Sequence, residues 1–128
     1  MHATGSFEVK LVPQNDPSPD PLLGRMAIDK QFHGDLSATS KGQMLSAGTE
    51  VRGSAGYVAI EKVSGQLNGR TGTFVLQHSA TMNRGTPQLI ITVVPDSGAG
   101  DLRGLSGSMK INIADGKHTY DFDYFLAH

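Results

Sequence analysis

Apolar and polar residues alternate along most of this chain with a period of two. Phe7, Val9 and Leu11 are separated by Glu8 and Lys10, the pattern of a strand with one buried face. That strand ends near Pro13. Met26, Ile28, Lys30 and Phe32 repeat the alternation against Arg25, Asp29 and Gln31. A more polar strand is expected over Ser37–Leu45, and further strands over Tyr57–Val63, Thr71–Thr81, Gln88–Val94, Ser108–Ile113 and His118–Leu126. No segment carries a convincing apolar stripe at the helical period of 3.6 residues.

The punctuation between these runs agrees with strands. Asn68-Gly69 and Asp115-Gly116 are strong hairpin signals, because both central residues of a type I′ turn need positive φ. Gly34-Asp35, the stretch from Gly48 to Gly53, and Asn83-Arg84-Gly85 serve as further turns. Residues 14–22 hold three prolines at alternate positions, Pro17, Pro19 and Pro21, which forbid a helix and favour an extended surface crossing. Residues 96–107 form a glycine-rich connection. Eight short strands at regular spacing point to an all-β domain, a closed antiparallel eight-stranded barrel that removes both sheet edges. No linker divides the chain, so residues 1–128 are expected to form a single β-barrel domain.

Composition narrows the function. A chain of 128 residues can bury a core without disulfides or metal. It contains no cysteine, which excludes a disulfide framework and thiolate zinc sites. The formal net charge of −1 offers no basic field for phosphate backbones, so nucleic acid is not an expected partner. The N-terminus lacks the basic and apolar regions of a secretory signal, and no apolar run approaches the ~20 residues of a membrane helix. A cytoplasmic location is the resulting expectation. Runs such as Tyr57–Val63 and Leu89–Val94 are apolar on both faces, which predicts a covered outer surface and hence a homo-oligomer, most simply a homodimer.

Chemistry-bearing residues are few. Glu61 shares a strand face with Tyr57, Ala59 and Val63. If that face is interior, burial would raise its pKa and suit it to general acid or base work; the plainer alternatives are a glutamate on the outer face or in a structural ion pair. Lys30 interrupts the apolar face of Met26, Ile28 and Phe32, and a buried ammonium needs a partner, for which Glu61 is the natural choice. Gln77 and His78 are neighbours on one strand, so they point to opposite faces and one of them should enter the interior. A cavity histidine can shuttle protons near neutral pH, although a lone histidine on an apolar face is more commonly a hydrogen-bonded core residue. Glu61 and His78 are therefore the candidate catalytic residues, and Lys30, Tyr57, Gln77, Tyr120 and Tyr124 the candidate ligand contacts. The stripe of Tyr120, Phe122 and Tyr124 equally fits a core or a subunit interface. No histidine pair stands at metal-ligand spacing, so no metal is expected. The connection over 96–107 lacks the Gly-Lys-Ser/Thr ending and following helix of a phosphate loop, and no Gly-x-Ser-x-Gly elbow occurs, so neither that cofactor chemistry nor that hydrolase type is expected.

Three segments carry a resemblance. They are Lys30–Asp35, Glu61–His78 (with Gly65-Gln66-Leu67-Asn68-Gly69-Arg70 at its centre) and Val94–Gly107. Together they resemble a bacterial family of small uncharacterised proteins whose members have an allene-oxide-cyclase-like, calycin-like barrel. The resemblance spans nearly the whole chain. It implies the barrel and self-association but no settled activity, and no cyclase site transfers residue by residue. The expected function is binding of a small apolar molecule in the barrel cavity without a cofactor. The alternatives are an isomerase or cyclase using the cavity Glu or His as general acid or base, and a structural or interaction protein with a filled core.

Overall fold

A computed structural model describes residues 1–14 and 20–127. Most of the proline-rich crossing expected at 14–22 therefore lies outside the described residues. The strands are β1 (His2–Pro13), β2 (Leu23–Gly34), β3 (Leu36–Gly48), β4 (Ala55–Leu67), β5 (Arg70–Asn83), β6 (Thr86–Val93), β7 (Ala99–Gly100), β8 (Leu105–Ala114) and β9 (Lys117–Leu126). No helix occurs among the described residues. Eight long strands follow one another as an antiparallel meander, and pairing of β1 with β9 closes the ring. The ninth, β7, is a two-residue strand inside the glycine-rich connection, paired with Gly72 and Thr73 of β5.

The turns carry the backbone conformations that their residues favour. Asn68 and Gly69 have φ of 47° and 85°, and Asp115 and Gly116 have 52° and 74°, as two-residue hairpins with a type I′ turn require. Several strands extend past their alternating runs. β1 starts at His2 and β8 at Leu105, because glycines at inward positions hide the alternation there. At Gly5 a Cβ would lie 2.6 Å from the Tyr120 hydroxyl, so the missing side chain makes room for that ring.

The interior divides into two halves. At the end formed by the Gly34-Asp35 and Asn68-Gly69 turns and the connection after β6, the barrel is packed solid. Phe32, Phe74 and Phe122 are fully buried there with Leu36, Leu67 and Leu102, and Phe74 stacks on Phe122 at 5.9 Å between centroids. Leu102 comes from the connection, which thus plugs this end. The other half, toward the turns at 49–54, 84–85 and 115–116, is lined by Val9, Leu11, Met44 and Ile111 and is not filled by the described residues. On the outside, Leu45 of β3, Val58 and Ile60 of β4 and, across β5, Ile90 of β6 are about half exposed.

Candidate functional site

Strand parity brings four polar side chains to the middle of the barrel. Register pairs Lys30 with Ser40, Ser40 with Val63, and Ala59 with His78. Lys30 (6% exposed), Ser40 (1%), Glu61 (0%) and His78 (4%) are the buried polar or charged residues among the described residues. They meet on one carboxylate. Lys30 Nζ donates to Glu61 Oε2 at 2.8 Å, and His78 Nε2 lies 2.5 Å from the same oxygen. Ser40 Oγ donates to the other oxygen, Oε1, at 2.7 Å.

The electrostatics of this cluster overturn one expectation. Burial does push the Glu61 pKa upward, but the hydrogen bond from His78 and the charge of Lys30 outweigh it and hold the carboxyl at about 2. Glu61 is a carboxylate at neutral pH, and it is no general acid. A carboxylate only accepts hydrogen bonds, so the Nε2 of His78 carries the proton that it shares with Glu61. The other ring nitrogen, Nδ1, has no hydrogen-bond partner among the described residues, yet no sealed polar atom lacks one. His78 is among the residues that line the unfilled half of the barrel.

That half is a chamber of about 200 Å³, lined by Phe7, Val9, Ile28, Lys30, Tyr57, Ala59, His78, Ile111 and His118 among others. The Lys30–Glu61–His78–Ser40 cluster lies between the chamber and the packed end and forms its floor. Lys30 Nζ also stands 5.0 Å from the centre of the Phe7 ring, a favourable position for a cation over an aromatic face. Tyr57 lies on the wall between this chamber and a wider hollow of about 480 Å³ at the rim, with Met44 and Leu89 shared between the two. Burial and the negative charge of Glu61 both raise the Tyr57 pKa, so its hydroxyl stays protonated. It has no hydrogen-bond partner among the described residues.

The structure thus gathers Glu61, His78, Lys30 and Tyr57 around one chamber. Three other candidates do not reach it. Gln77 points outward, since its neighbour His78 takes the inward position. Tyr120 and Tyr124 face inward but at the packed end. The Tyr120 hydroxyl accepts from the Leu36 amide at 2.9 Å and lies 2.9 Å from the His33 carbonyl, latching the Gly34-Asp35 turn. The Tyr124 hydroxyl accepts from Asn68 Nδ2 at 2.7 Å. Ser40 belongs to the site and was not singled out in the sequence, because β3 reads as polar on both sides. His118, which is not among the sequence candidates, packs against Phe7 with ring centroids 5.1 Å apart and tilted by 49°, and lines the chamber. No group of three or more potential metal ligands occurs among the described residues, and no helix is long and apolar enough to cross a membrane.

A family model described as a protein of unknown function (DUF3224) matches residues 3–124. A crystal structure of a protein of unknown function from that family, from Shewanella oneidensis MR-1, is similar at a TM-score of 0.95 and 52% identity, covering 100% of this chain and 98% of that one. No curated protein matches the chain.

Proposed function

The chain belongs to the DUF3224 family, and for this member we propose binding of a small, largely apolar molecule with one polar end, inserted through the open end of the barrel. The polar end meets the floor, where Lys30 and His78 offer groups that the protein leaves partly unused. The apolar part lies against Val9, Ile28, Met44 and Ile111. The observation that carries this reading is the polar floor beneath an apolar chamber, with His78, whose Nδ1 has no hydrogen-bond partner among the described residues, on its lining. A filled structural core would have no use for such a void, because interiors pack to the density of organic crystals.

Size restricts the ligand. The inner chamber of about 200 Å³ holds roughly seven water molecules' worth of space, below the ~300 Å³ of an ordinary ligand pocket. With the rim hollow of about 480 Å³, the combined space falls in the usual range. An occupant therefore spans both, past Tyr57. A calycin-like barrel, which the sequence motifs suggest, holds ligands through an open mouth in this way.

Thermal shift against a panel of apolar carboxylates, phenols, ketones and terpenoids tests the reading. A binder should raise the melting temperature of the wild type. It should fail to do so with Val9→Trp, which fills the chamber without touching the packed end. If no compound shifts the wild type, or if Val9→Trp responds equally, the chamber is not a ligand site.

A further inference from the structure

We infer that His78 is a general base for proton transfer within a carbonyl compound held in the chamber; this deepens the binding reading and rests on it. The argument starts from the shared oxygen. Lys30 and His78 both bond Glu61 Oε2, at 2.8 and 2.5 Å, so an ammonium and an imidazole stand side by side at one floor. Glu61 accepts a hydrogen bond from the Nε2–H and thereby favours the tautomer that leaves a lone pair on Nδ1, on a ring that lines the chamber. A carboxylate behind an imidazole also stabilises the imidazolium once it forms, the logic of acid–histidine dyads on unrelated folds. Glu61 is a positioning residue in this scheme.

Lys30 supplies the second requirement. Removing a proton beside a carbonyl places negative charge on the carbonyl oxygen, and a fixed cation in a water-poor site stabilises that charge. Among the described residues only one of the three Lys30 N–H groups is engaged by a hydrogen bond, so the ammonium has donors left for such an oxygen. Charged or titratable groups facing His78 from the surrounding strands are Lys30 of β2, Tyr57 and Glu61 of β4, and His118 of β9.

The step balances without a cofactor. His78 Nδ1 takes a proton from the carbon between the carbonyl and a β,γ double bond. The C–H electrons form a new carbon–carbon double bond, and the carbonyl electrons move onto oxygen beside Lys30. The imidazolium then returns the proton to the γ carbon, the carbonyl re-forms, and the double bond ends in conjugation with it. The substrate class is an apolar β,γ-unsaturated ketone, and the reaction is an isomerisation.

The probe is a β,γ-unsaturated cyclohexenone incubated with the full chain in deuterium oxide. Proton NMR follows deuterium uptake and conjugation, and saturation transfer in the same tube reports binding. Wild type should accelerate exchange. His78→Gln keeps a donor for Glu61 and removes the basic nitrogen, so exchange should fall by at least about 100-fold with binding retained. Glu61→Gln should lower the rate constant with little change in KM. Should His78→Gln not fold, carbethoxylation of wild-type His78, located by mass spectrometry, should abolish exchange, and the ketone should protect against it. Binding without exchange, or exchange that survives loss of the His78 base, overturns the catalytic inference and leaves the binding reading standing. Absence of ketone binding overturns both.

Discussion

Gly42 of β3 sits directly across from Glu61 of β4, and the space between the two strands admits no side chain. A Cβ at Gly42 would lie 1.9 Å from the Ile60 carbonyl oxygen and 2.6 Å from the Glu61 Cα. Those atoms are backbone and cannot swing aside. The absent side chain is what lets the carboxylate sit between Ser40, Lys30 and His78 with β3 tight against its strand. Gly42→Ala is therefore expected to cost about 1–3 kcal/mol, in the range of core overpacking. Urea denaturation checks it, and an unchanged midpoint would contradict the close approach.

Acid stability should report on Glu61. Its folded pKa of about 2 lies below the ordinary glutamate value of 4.5, so the folded state favours the ionised form. The resulting stabilisation is fully present above pH ~4.5 and is lost as pH falls toward ~2, on the order of 3 kcal/mol across that window. Glu61→Gln should be less stable than wild type at neutral pH, because it leaves the buried Lys30 charge uncompensated. Its stability should also fall less steeply with acid. Parallel acid-unfolding curves for the two proteins would refute the assignment.

Tyr120 and the chamber should be separable. Tyr120→Phe removes the hydroxyl that serves the Leu36 amide and the His33 carbonyl. Leaving buried backbone groups unpaired costs about 1–3 kcal/mol. Denaturation should register that loss, whereas any ligand found for the chamber should bind with unchanged affinity, since the hydroxyl serves the opposite end of the barrel.

The outer face of β3, β4 and β6 should bind a second copy of this chain. Leu45 pairs with Val58 across the strands, and Ile60 and Ile90 extend the same surface. The uncharged Ser79 and Gln77 of β5 lie between these residues, with Arg25 at the β2 edge, so two copies related by a two-fold axis can meet over the apolar part of the patch. Light scattering behind a sizing column should give the mass of a dimer. Ile60→Lys should give a monomer with its fold intact; a monomeric wild type would refute the proposal.

Much of this was legible from parity alone. Alternation in β2 put Lys30 on an otherwise apolar face, and the neighbours Gln77 and His78 had to split between inside and outside, whereas β4 is apolar on both faces and left the direction of Glu61 open. What sequence could not supply was distance around the ring. Ser40 became part of the site only through its register with Lys30, and nothing in a polar β3 distinguishes an inward serine from an outward one. The direction of the Glu61 pKa was misread for the same reason: burial was foreseeable, but the joint presence of His78 and Lys30 on one oxygen was not. Tyr120 and Tyr124 shared a face with the interior as expected, yet the side of the floor on which each would fall depends on barrel closure between β1 and β9.

The plug of Phe32, Phe74, Phe122 and Leu102 has a consequence for how such a protein can change over generations. Cohesion comes from one half of the barrel, and the walls that would choose a guest come from the other. Substitutions at Leu11, Met44 or Leu89 can reshape the mouth and leave that plug in place. The scaffold is thus suited to drift among guests, in nature or under laboratory selection, while its polar floor stays fixed.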